Sequence, residues 1–60
     1  MKVSYAVTFE FIENPPITER GQVSAISVRT CVARALDEAT EKNPNLKWNS
    51  ISVLIQREEP

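Results

Sequence analysis

The chain has 60 residues, a formal charge of −1, one cysteine and no histidine. Such a chain is one small domain, spanning residues 1–60, with no internal disulfide and no zinc-binding set. Its charge leaves no basic footprint for nucleic acid or an anionic membrane, and no apolar run exceeds three residues, too short to span a bilayer.

A domain this short buries only about 60 % of the surface that its unfolded chain exposes. A well-packed core or self-association must make up the difference. Lys2 is followed by alternating polar residues rather than an apolar stretch, which is not the pattern of a signal peptide. With a lone thiol, that points to a reducing, cytoplasmic compartment.

Lys2–Ile12 places Val3, Tyr5, Val7, Phe9 and Phe11 on every odd position. Period two with aromatic and β-branched residues on one side predicts a half-buried strand. Glu13-Asn14-Pro15-Pro16 ends it, because proline cannot donate to a ladder and restricts the residue before it. Ile17–Ile26 predicts a second strand, with Ile17, Gly21, Val23 and Ala25 on the core face and Glu19 interrupting them. Its outer half is expected to be irregular, and Gly21 marks a bulge or a close backbone approach.

Ser27 is the expected N-cap, and Ile26 could staple onto Cys31. Val28, Cys31, Val32, Ala35, Leu36 and Ala39 then recur at spacings of three and four, the stripe of an amphipathic helix. Arg29, Thr30, Arg34, Asp37, Glu38, Glu41 and Lys42 form the wet face. Asn43-Pro44 stops the helix, with Asn43 suited to a left-handed cap. Lys47–Arg57 predicts a third strand, with Ile51, Val53 and Ile55 on one face and Trp48, Ser50, Ser52, Leu54 and Gln56 on the other. The tail 58–60 is expected to fray.

The predicted fold is α+β, in the order β-β-α-β. Strands two and three run the same way, so the third pairs antiparallel only with the first. The sheet order is then 2-1-3, with the most apolar strand central, one helix packed on one face and a right-handed crossover.

Little in this chain carries catalysis. There is no histidine to serve as a base near neutral pH. Cys31 lies on the apolar stripe and reads as a packing residue. Glu10, Glu19, Asp37, Glu38 and Glu41 form no acid/base pair, and a single glycine builds no phosphate-cradling loop. The expectation is a non-catalytic protein with no cofactor and no metal.

A protein partner or a second copy remains. The uncovered sheet face is flat and polar, with Ala6, Thr8, Trp48 and Leu54 as candidate contacts; tryptophan is a frequent hot-spot residue. The two outer strands leave backbone edges open to strand addition. On the helix, Arg34 and Glu38 stand in the less favourable i, i+4 order, so they are candidates for a partner as well. The alternative is a small nucleic-acid-binding domain using Lys2, Arg20, Lys47 and Arg57 around the open face.

Gly21-Gln22-Val23-Ser24-Ala25, Ala35-Leu36-Asp37-Glu38-Ala39, and Asn43-Pro44 with Trp48-Asn49-Ser50 resemble segments of small accessory proteins of tailed phages, especially those infecting actinobacteria. The β-β-α-β order also resembles that of small phage inhibitors of host RNA polymerase. The resemblance implies a phage protein that acts by binding a host or phage protein in the host cytoplasm. It assigns no individual residue a role, and the chain lacks the strongly charged arrangement needed to clamp a basic polymerase channel.

Overall fold

The computed structural model describes residues 1–58. β1 (Lys2–Glu10), β2 (Ile17–Ser24), α1 (Val28–Lys42) and β3 (Ser50–Arg57) follow in chain order. The three strands form one antiparallel sheet in the order β2-β1-β3, as the direction argument requires. No helix among the described residues is long and apolar enough to cross a membrane.

β1 is central because its odd residues are the most apolar set in the chain. Val3, Val7 and Phe9 are wholly buried and Tyr5 nearly so. They meet Cys31, Ala35 and Ala39, three small residues on one helix stripe that let the helix approach the sheet closely. The free thiol of Cys31 is sealed inside this contact. Leu36, Leu46, Phe11, Ile51, Val53 and Ile55 close its margins and stay partly exposed.

α1 starts where Ser27 Oγ accepts the Thr30 amide at 3.2 Å. The expected staple is absent: Cys31 is buried, but Ile26 is 97 % exposed and turned away. Val28, expected on the apolar stripe, is also exposed. The C-cap differs from expectation as well. Asn43 has φ −133°, outside the left-handed region. Its side-chain amide instead donates to the Ala39 carbonyl at 3.0 Å and to Glu19 Oε1 at 3.1 Å. The carboxylate that interrupts the apolar face of β2 thereby finds its partner at the helix end.

β2 shows no bulge and no frayed outer half: it pairs residue for residue with β1, from Phe9 opposite Ile17 to Lys2 opposite Ser24. Gly21 serves the other purpose assigned to it, a close approach. A Cβ there would lie 2.6 Å from Tyr5 Oη and 2.7 Å from Cζ.

Two backbone bonds fix the direction of every group in the sheet. Ala25 N donates to Met1 O at 2.9 Å, and Glu58 N donates to Lys2 O at 3.5 Å. Hydrogen-bonded pairs alternate along an antiparallel ladder. Odd residues of β1 therefore exchange bonds with β2 and even residues with β3. The same alternation turns the N–H and C=O groups of Thr18, Arg20, Gln22 and Ser24 outward along the β2 edge. On the β3 edge, those of Ile51, Val53, Ile55 and Arg57 point outward. Glu58 makes this bond and a 3.7 Å ion pair with Lys2, so the first residue of the expected frayed tail continues the strand's contacts; 59–60 lie outside the described residues.

Candidate functional site

The even residues of the strands form the face that α1 leaves uncovered. Ala6 lies at its centre, directly opposite Arg20 on β2 and Leu54 on β3. Two long side chains flank a methyl group, which makes a hollow instead of a flat surface. Ala6 is consequently only 7 % exposed, although it points away from the helix. The hollow measures about 310 Å³ and is bordered by Ser4, Gln22 and Gln56 along with Arg20 and Leu54. Leu54 is 55 % exposed, an apolar side chain against a polar rim carrying one cation.

Thr8 is on the same face, where its hydroxyl lies 3.0 Å from that of Thr18 across the strand pair. That bond satisfies both side chains locally. Ala6, Thr8 and Leu54 thus come together as expected, whereas Trp48 does not join them. β3 begins at Ser50 and not at Lys47, because Asn49 is spent on two other contacts. Its amide donates to Glu10 O at 2.8 Å, and its Oδ1 accepts the Ile12 amide at 2.9 Å. Trp48 therefore lies past the Glu10 end of the sheet, 43 % exposed and off the strand. A second hollow of about 250 Å³ occurs at that end, between Phe11–Asn14 and Lys47 and Asn49.

The two helix candidates are used within the fold. Arg34 Nη1 donates to the outward carbonyl of Ser24 at 2.7 Å. Glu38 Oε1 accepts from the Tyr5 hydroxyl at 3.1 Å. Both side chains reach the β2 side of the sheet, so neither belongs to a purely solvated helix face. Their reversed i, i+4 order follows from these separate partners.

The cations of the nucleic-acid alternative are dispersed. Lys2 is paired with Glu58, and Lys47 precedes β3. Arg57 is opposite Val3, which puts its side chain on the helix side of the sheet. Arg20 alone borders the hollow.

Burial pushes the Tyr5 hydroxyl above its ordinary value of 10.0; the hydrogen bond to Glu38 and the charges of Glu38 and Glu19 push the same way. The folded chain therefore holds this proton more tightly than the unfolded chain does. The associated stability is complete below pH 10 and is lost as pH rises through the folded value. Urea midpoints measured across the alkaline range are expected to fall in the wild type. Tyr5→Phe should be less stable by about 1–2 kcal/mol at pH 8 and should lose this alkaline component.

Ser4, Gln22 and Gln56 were not singled out by sequence reasoning. Their importance depends on register, which places them around Ala6, and residue identity carries no register signal here. Comparison of the chain with protein-family models, with curated proteins and with solved structures returned no match.

Proposed function

We propose that this chain is a non-catalytic protein-interaction module, of the type represented by small phage accessory proteins, and that it binds through the uncovered sheet face. The observation that carries this reading is the half-exposed Leu54 beside the Ala6 hollow, ringed by Ser4, Gln22 and Gln56. An apolar centre with a polar rim, here carrying the single cation Arg20, is the usual anatomy of a protein contact. The carboxylates nearest to chemistry serve structural partners: Glu19 holds Asn43, Glu38 holds Tyr5, and Glu10 is 3.4 Å from the Ser50 hydroxyl.

Leu54→Arg tests the reading. The side chain is exposed, so the variant should keep the wild-type circular dichroism spectrum. Immobilised wild type and variant are exposed to the same bacterial lysate. A protein retained by the wild type and lost by Leu54→Arg supports the module. Equal retention by both, or none by either at any salt, counts against it. Retention of DNA or RNA with steep salt dependence would transfer the reading to nucleic acid.

A further inference from the structure

The two edges of the sheet are built differently. β2 is guarded: Pro15 and Pro16 precede it, Glu19 and Arg20 lie within it, and Arg34 takes the outward carbonyl of Ser24. These are the devices by which proteins keep an edge from pairing with another strand. β3 carries one charge, Arg57 at its last position, and otherwise has none of them. From Ser50 to Gln56 it contains no charge, no proline and no glycine. Before Arg57, its outward backbone groups belong to Ile51, Val53 and Ile55, whose side chains lie half-buried on the helix side. Helical spacing continues that apolar seam. Arg34 and Glu38 point toward β2, so Val32 and Leu36 occupy the opposite flank of α1, above β3.

We infer that the β3 edge pairs with β3 of a second copy, antiparallel about a two-fold axis at Val53. A strand that meets its own copy must be complementary to itself, and polarity and charge select the register. Centring on Val53 sets Ile51 of one copy opposite Ile55 of the other and Val53 opposite Val53. Arg57 then faces Asn49. A shift of the centre by one residue toward Arg57 sets that arginine opposite Ile51, and a shift the other way sets it opposite Lys47, a like charge. In the chosen register the outward N–H and C=O groups of each of these apolar pairs meet each other. The result is a continuous sheet in the order 2-1-3-3-1-2, with both helices on one side. The open faces stay uncovered, so this inference goes beyond the reading proposed above and does not depend on it.

The test uses a chemically synthesised chain methylated on the Val53 amide nitrogen. That group points away from β1, so methylation blocks the outer edge and spares the β1–β3 ladder and every side chain. Sedimentation velocity from micromolar to millimolar concentration should show a dimer for the wild type, with its dissociation constant raised about tenfold or more in the methylated chain. Hydrogen exchange gives an independent readout even where methylation harms folding. In the wild type, the Ile51, Val53 and Ile55 amides should gain protection with concentration, while Arg20 and Gln22 on the opposite edge should not. A monomer throughout this range, or a dimer indifferent to the methyl group, overturns the inference. So does fast, concentration-independent exchange at all three β3 amides. Retention of a partner by the methylated chain separates this outcome from any failure of the open-face reading.

Discussion

Phe9→Ala is expected to leave the chain mostly unfolded at room temperature. Phe9 is the largest side chain in the structure with no exposure at all. It stands on the central strand, with Ile17 on one side and Ile51 on the other. Truncating a buried phenylalanine costs about 3–5 kcal/mol, from lost transfer energy and from the cavity left behind. A domain of this length has roughly 3–9 kcal/mol in total. Circular dichroism with urea titration is the check. A cooperative transition within about 1 kcal/mol of wild type would mean that the site collapses around the loss, and that the core is looser than its burial indicates.

Gly21→Ala is the second large effect, and it acts by crowding. The added methyl group would lie 2.6 Å from the Tyr5 hydroxyl oxygen and 2.7 and 2.8 Å from two carbons of its ring, closer than such atoms tolerate. The ring cannot simply swing away, because Tyr5 is buried and its hydroxyl is anchored on Glu38. Overpacking of this kind costs about 1–3 kcal/mol. Displacing the hydroxyl from Glu38 adds about 1 kcal/mol. The expected loss is therefore near 2–4 kcal/mol by urea titration. Repeating the substitution in a Tyr5→Leu background removes the clashing atoms. There the cost should shrink to a small fraction, so the two changes should be strongly non-additive. Additive losses would show that glycine is needed for a reason other than the ring.

The parts of the fold legible in sequence are those where pattern and direction agree. β1 announces itself by strict alternation, α1 by its three-four spacing and the Ser27 cap, and the 2-1-3 order by the running directions of three strands. What escaped was decided by contacts distant in sequence. Asn49 leaves the strand pattern because Glu10 and Ile12 claim it. Asn43 caps without a left-handed turn because Glu19 meets it across 24 positions. Arg34 and Glu38 look solvent-facing on a helical wheel, yet the β2 side of the sheet lies within their reach. The candidate surface was legible as a face but not as a shape. Alternation names Ala6, Thr8 and Leu54 as companions, but only the register sets Ala6 between Arg20 and Leu54 and makes a hollow there.

The position of β1 between its two partners also imposes an order of assembly. β1 meets β2 through a short turn, but its pairs with β3 join residues 40 to 54 positions apart. Closing so long a loop is slow compared with forming a hairpin or a helix turn. On the ribosome β1 emerges well before β3, and it can fold back on β2 while the helix is still forming. Through that interval the even-numbered backbone groups of the most apolar strand have no partner. The nascent chain is then most exposed to aggregation along its own centre, and the arrival of β3 ends that exposure.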